Sequence, residues 1–316
     1  MTKKVLIDCD PGMDDSLALI LACKSPELDV KAITTVSGNY HVDVTSVNAL
    51  KTLELIGRED IPVARGLAKP LVRALASDPF THGSDGQAEA FLPAPSKQLD
   101  DSHAVDLIIE TIKAYPGELY LLALGPLSNI ALALIKCPEI KDMVKGIYAI
   151  AGAFGLNKYA TANATGDNPQ SEWNVYVDPE AAEMVFSSGI PMTAIGLDVA
   201  THFDVNFTEV DLERLRQSDK AEAAFLLNMI NFVANRGFES YCVLIDSMAV
   251  AAAIDETLIR TIRGRVGVET KGHLTLGMTV LDTRHHHVWS DLPEINIAAE
   301  AEYARFNELV LDRILG

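Results

Sequence analysis

The stretch "IDCDPGMDD" at residues 7–15 holds four carboxylates, Asp8, Asp10, Asp14 and Asp15, directly after a short apolar run. Two charges about 4 Å apart repel by roughly 4 kcal/mol at an effective dielectric near 20. A folded cluster of this kind therefore protonates a member or binds a cation. The plainer reading is that an Asp after a Pro-Gly turn caps a helix, but capping uses one carboxylate and leaves three unexplained. A hard divalent ion with oxygen ligands fits the cluster. Ca²⁺ suits it better than Mg²⁺, because Ca²⁺ accepts six to eight oxygens in loose geometry whereas Mg²⁺ often relies on substrate phosphates. No G-x-x-x-x-G-K-[ST] or G-x-G-x-x-G phosphate loop is present.

Elements must position these groups, and the chain supplies them by alternation. "KKVLIDC", "DVKAITTVSG", "ELYLLALG", "GIYAIAG" and "PMTAIGLDV" read as strands, with helical segments between them such as "VTSVNALKTLELIG", "SNIALALIKC" and "DPEAAEMVFSSG". Such alternation predicts an α/β fold: an open, largely parallel but mixed, doubly wound sheet with helices on both faces. Residues 208–235 read as two helices and the C-terminal segment as an amphipathic one. Residues 76–103 and 155–171 read as loops, and no linker divides residues 1–316, so a single domain is expected. Ligands in such sheets bind beyond the carboxyl ends of the strands. Asp8, Asp10, Gly38, Asn39, Leu124, Gly125, Gly152 and Asp198 all fall at apolar-run ends, and Asp246 follows the apolar "YCVLI".

Composition narrows the function classes. The chain has 316 residues, 48% of them hydrophobic, and a net charge of −18. That charge argues against a nucleic-acid partner, which needs a basic surface. No apolar run is long enough for a membrane span. Cys9, Cys23, Cys137 and Cys242 are scattered, as expected of reduced, buried thiols. The N-terminus turns acidic too early for a signal peptide, so the expected location is cytoplasmic.

"DCDPGMDD" resembles the D-x-D-P-G-x-D-D signature of the inosine–uridine nucleoside hydrolases. "SGN" at 37–39, "IPVARGLAKPL" at 61–71, "HGSDG" at 82–86, "LGPLSNIA" at 124–131, "EWNVYVDPEAA" at 172–182 and "IDSMAVA" at 245–251 resemble family segments in the same order. The resemblance implies an open mixed sheet, a homodimer or homotetramer, bound Ca²⁺ and hydrolysis of the N-glycosidic bond of ribonucleosides. Asp10, Asp15, Asp246 and the Leu124 carbonyl would hold Ca²⁺, with Asp10 also taking a proton from a metal-bound water. Asp14 and Asn39 would contact the ribose 2′ side, Asn174 and Asp246 the 3′-hydroxyl, and Glu172 the 5′-hydroxyl. Asp8 would orient the metal shell from behind. Crowded carboxylates favour the oxocarbenium-like sugar of such a reaction.

The sequence also departs from the pattern. Ile245 stands where family members commonly carry a histidine credited with protonating the leaving base, and isoleucine cannot donate a proton. His82 matches a histidine that pyrimidine-preferring members use near the base, and is the expected replacement; a His before Gly in a polar loop is otherwise simply exposed. Phe238 and Tyr241 are candidates for the base pocket or for the core. Ile150 replaces a family methionine. Asp167 or Asn168 could supply the 5′-hydroxyl contact, and "RHHH" at 284–287 reads as a solvated loop. Two rival functions remain open: a haloacid-dehalogenase-type phosphotransferase, disfavoured by Pro11, Gly12 and the Asp14–Asp15 pair, and a nucleoside- or ribose-binding protein without turnover.

Overall fold

The computed structural model describes residues 2–76, 78 and 80–316. Among the described residues there are nine strands: β1 (Lys3–Cys9), β2 (Leu28–Thr35), β3 (Val63–Arg65), β4 (Leu119–Ala123), β5 (Gly146–Ile150), β6 (Met192–Ile195), β7 (Ile259–Val268), β8 (Thr279–Asp282) and β9 (Ile295–Ala301). They form one sheet in the order β3-β2-β1-β4-β5-β6-β9-β7-β8. Pairing is parallel from β3 through β9, and β7 turns antiparallel against both β9 and β8. The expected open, mostly parallel, mixed sheet is thus observed. The three C-terminal strands and the short β3 were not assigned from the sequence.

Side chains alternate across the sheet, so β1 feeds two cores. Val5 and Ile7 enter the larger, while Leu6 enters the other. Helices Met13–Lys24, Val42–Leu55, Ala221–Ala234, Tyr241–Ile254 and Tyr303–Leu315 cover one face. Helices Ala104–Ala114, Ser128–Lys136 and Pro179–Phe186 cover the other. The two helices expected over 208–235 occur as Glu209–Arg216 and Ala221–Ala234.

Two features of this packing position the acidic groups. Strand order reverses between β1 and β4, which opens a crevice at their carboxyl ends. Helix Met13–Lys24, buried from Met13 to Ala22, packs along helix Tyr241–Ile254, and both helices lie directly on the sheet. The small residues Ser247, Ala249, Ala251, Ala252 and Ala253 let the second helix approach closely.

Several local expectations change. "YCVLI" is the first turn and a half of helix Tyr241–Ile254, so Asp246 sits within a helix and not beyond a strand. A run buried on all sides has no periodicity that separates strand from helix. Asp198 lies in the short helix Leu197–Ala200, where its carboxylate accepts the Phe154 and Leu156 N–H groups and shapes the loop after β5. Residues 76–103 do not simply cross the surface, because His82, Gln87 and Ala88 are buried. Ser77 and Pro79 of that loop lie outside the described residues. Cys9 and Cys137 are buried, but Cys23 and Cys242 are only half-buried.

Candidate active site

Strand β1 ends at Cys9, and Asp10 follows in the crevice, where it is almost fully buried. Its Oδ2 accepts the Asn39 backbone N–H at 2.6 Å, and its Oδ1 is buried without a partner. Two glycines leave room for this carboxylate. A Cβ on Gly38 would stand 2.1 Å from Asp10 Oδ2, and one on Gly125 would stand 2.6 Å from Oδ1. The glycines of "SGN" and "LGP" are therefore explained by the carboxylate they flank.

Asp15 performs the capping that the plain reading requires. Its Oδ1 accepts the Asp10 N–H at 3.0 Å and its Oδ2 the Gly12 N–H at 3.1 Å. Asn39 Nδ2 adds a 3.1 Å bond to the same Oδ2 and donates to the Asp10 carbonyl at 3.2 Å. One carboxylate thus serves the helix start, and the others have different work. Asp14, Asp15 and Asp246 each present an oxygen within 4.8 Å of the other two. This trio includes Asp14, which the sequence reading placed on the ribose, and not Asp10, which it placed on the metal.

Burial dominates the electrostatics. It lifts Asp14 to about 6 and Asp15 to about 7, and holds Asp10 and Asp246 well above the usual carboxylate range, with neighbouring carboxylates pushing the last three further. Asp8 is likewise raised to about 7 by burial, against hydrogen bonds from Asn129 and Thr34 that favour its ionised form. The Asp8, Asp10 and Asp14 carboxylates each retain one buried oxygen without a hydrogen-bond partner. Buried polar atoms are rarely left so. The orphaned oxygens of Asp10 and Asp14, beside Asp15 and Asp246, are a donor set that fits a hard cation such as Ca²⁺.

The remaining ribose-side candidates converge on the same place. Asn174 Nδ2 donates to the Leu124 carbonyl at 2.7 Å and the Ile150 carbonyl at 3.1 Å, which leaves its Oδ1 for a ligand. Glu172 caps helix Trp173–Val177 through the Asn174 and Val175 N–H groups, and burial raises it to about 7. Asp10, Asp14, Asn39, His82, Leu124, Ile150, Glu172, Asn174, Tyr241, Ile245 and Asp246 all line one cavity of about 330 Å³. That volume lies at the lower end of small-molecule sites. Asp15 stands behind its wall.

His82 is buried, not exposed, and its Nδ1 accepts the Met13 N–H at 3.2 Å. That bond assigns the remaining ring proton to Nε2. Burial pushes its pKa down, against the pull of Asp15 and Asp78. Phe238 and Tyr241 line the cavity as well. Asp167 and Asn168 do not: Asp167 accepts the Tyr176 hydroxyl and Asn168 donates to the Leu276 carbonyl. Asn163 and Thr165 line the cavity in their place, and Trp173, Arg236 and Cys242 join them. Asn163, Thr165 and Arg236 lie in loops or turns and Trp173 and Cys242 in helices, and none follows a spacing rule that would mark it in one sequence. "RHHH" is exposed, with Arg284 paired to Asp282.

Comparison with known proteins bears on what this site does. Residues 5–308 match the family model described as inosine-uridine preferring nucleoside hydrolase. The chain is 38% identical to the pyrimidine-specific ribonucleoside hydrolase RihA of Citrobacter koseri over 320 residues, covering 99% of this chain and 98% of the relative. It is 41% identical to the RihA of Photobacterium profundum over 288 residues, 89% of each chain. Among solved structures it resembles the plant nucleoside hydrolase PpNRh1, with a TM-score of 0.88, 34% identity and full coverage of both chains. A purine-preferring ribonucleoside hydrolase from Gardnerella vaginalis matches with the same TM-score at 32% identity, covering 99% of this chain and 98% of the other.

Proposed function

The chain belongs to the inosine-uridine preferring nucleoside hydrolase family and is a ribonucleoside hydrolase, and from that premise we propose that it cleaves pyrimidine ribonucleosides to free base and ribose with a bound Ca²⁺. The observation that carries this reading is the pair of orphaned carboxylate oxygens of Asp10 and Asp14, which line the cavity at the β1–β4 crevice. The pyrimidine preference follows the relatives from Citrobacter koseri and Photobacterium profundum, both pyrimidine-specific by name.

Asp10, Asp15, Asp246 and the Leu124 carbonyl would hold the ion, and Asp14 presents an oxygen to the same cluster as Asp15 and Asp246. When bound, Ca²⁺ balances the carboxylates and makes water at the site more acidic. Asp10, pinned through Oδ2 by Asn39, offers its free Oδ1 to the proton of the attacking water. Asp14, Asn39, Glu172, Asn174 and Asp246 receive the ribose hydroxyls, and the carboxylates favour the positive charge that develops on the sugar. Asn39 acts here mainly through Asp10 and Asp15, since both its side-chain N–H groups are spent on them. His82 donates Nε2–H to the base as a neutral hydrogen-bond donor.

The test is reducing-sugar release from uridine and from inosine, each with Ca²⁺ and after chelation. Calcium-dependent release, faster from uridine, is expected. A second reading rests on Ile245: tight nucleoside binding without release of ribose would make the protein a binder.

A further inference from the structure

Ile245 lines the cavity and has no proton to give, so the base must leave by another route. Breaking the C1′–N1 bond of a pyrimidine nucleoside sends the electron pair to the base, where it spreads from N1 onto the ring carbonyl oxygens. Among the residues lining the cavity, Arg236 is the one lysine or arginine. It comes from the turn between helices Ala221–Ala234 and Tyr241–Ile254. Its guanidinium stacks on the Phe232 ring, 3.5 Å from the centroid, and lies 5.6 Å from the centroid of Phe80. Phe80 in turn meets Phe238 edge-on at 6.5 Å. Phe232 packs beside Gly83, the neighbour of His82, so Arg236 is tied to the wall expected to face the base.

This arginine holds its charge in reserve. Among the described residues its one hydrogen bond is a 3.5 Å contact to the Phe232 carbonyl. Asp78, which also lines the cavity, spends its carboxylate on the Phe80 and Thr81 N–H groups and the Thr81 hydroxyl. Stacking on an aromatic face orients the planar group without consuming its N–H donors. Among the described residues no carboxylate pairs with Arg236, although Asp10, Asp14, Glu172 and Asp246 line the same cavity, so its N–H donors stay available to an acceptor on the substrate.

We propose that Arg236 is the leaving-group residue: its guanidinium binds the carbonyl edge of the departing pyrimidine and stabilises the negative charge left there as the glycosidic bond breaks. The inference rests on the hydrolase reading above. Arginine does not give up its proton, so it acts by charge and hydrogen bonds and not as an acid. The water oxygen bonds to C1′, one water proton passes to Asp10 and then to solvent, and the base anion takes a proton from solvent. One water is consumed, and ribose and free base result. The planar two-pronged donor suits a base with exocyclic oxygens.

The test compares uridine with p-nitrophenyl β-D-ribofuranoside, whose leaving group needs no stabilisation, in wild type, Arg236→Met and Arg236→Lys with saturating Ca²⁺. Removing one donor to a developing anion costs about 10²-fold in rate. Arg236→Met is expected to lose about that much kcat on uridine and no more than a few-fold on the aryl riboside, with Arg236→Lys between. Retained aryl riboside cleavage also demonstrates that the variant is folded. Equal losses on both substrates, or no loss on either, would overturn the proposal and leave the hydrolase reading intact. Wild type that cleaves neither substrate would instead sink the hydrolase reading and this inference with it.

Discussion

Gly125→Ala is a one-carbon test of where the chemistry resides. A Cβ at Gly125 would stand 2.6 Å from Asp10 Oδ1, 3.0 Å from the Asp10 N and 3.0 Å from Val36 Cγ1, whereas ordinary contact begins at 3.4 Å. The oxygen must retreat by about 0.8 Å. Its retreat is opposed on the far side, where Asn39 N holds Oδ2 at 2.6 Å and Gly38 offers no slack. If Asp10 meets the reacting water as proposed, a displacement near 1 Å costs about 10²-fold. The crowding itself destabilises the fold by about 1–3 kcal/mol. Uridine hydrolysis at saturating Ca²⁺, with thermal unfolding of the same samples, separates the two effects. Gly117→Ala is the control: φ there is +75°, so the backbone is strained, yet nothing lies within 4 Å of the added methyl. The expectation is that both variants lose some stability and only Gly125→Ala loses kcat/KM. A folded Gly125→Ala protein within three-fold of wild type, roughly, would refute the placement of Asp10 at the reacting water, because the misplacement penalty would be missing.

Two further outcomes follow from the same geometry. Without calcium, Asp15 titrates near 7 when folded against 3.8 as its ordinary value, mainly because of burial. The folded state then binds more protons than the unfolded one, so stability in chelator should fall as pH rises from about 4 towards 7. Stabilisation by Ca²⁺ should grow over that interval, as the ion favours the ionised form. A calcium-induced shift in Tm that stays constant with pH would contradict this. Asn174→Asp removes the N–H donors that now satisfy the Leu124 and Ile150 carbonyls, and adds a carboxylate to the cluster. Each buried carbonyl left unpaired costs about 1–3 kcal/mol. Scanning calorimetry should therefore show a lowered Tm, and the uridine assay a loss of at least about 10²-fold, since the proposed ribose contact is disturbed as well. Wild-type values for both would remove Asn174 from the site.

What could be read from the sequence alone is the family, the fold class and an acidic cluster at the strand ends. Asp10, Asp14, Asp15 and the strand–helix alternation are local signals, because charge crowding and periodicity are properties of neighbours in the chain. The parallel sheet and the convergence of Asn39, Leu124, Glu172, Asn174 and Asp246 on one cavity agree with that reading. Tertiary packing decided the rest. Asp246 reaches the cluster from inside a helix, because small residues on that helix let it close on Met13–Lys24. His82 is expected near the base from its motif, but its burial and the Met13 N–H bond that gives it a single tautomer belong to the fold alone. Arg236 carried no signal beside its neighbours in sequence; its meaning comes from Phe232 and Phe80, brought together from a helix and a distant loop. Burial, hydrogen-bond occupancy and the absence of a counter-charge are sums over residues far apart in the chain, and only the folded arrangement determines them.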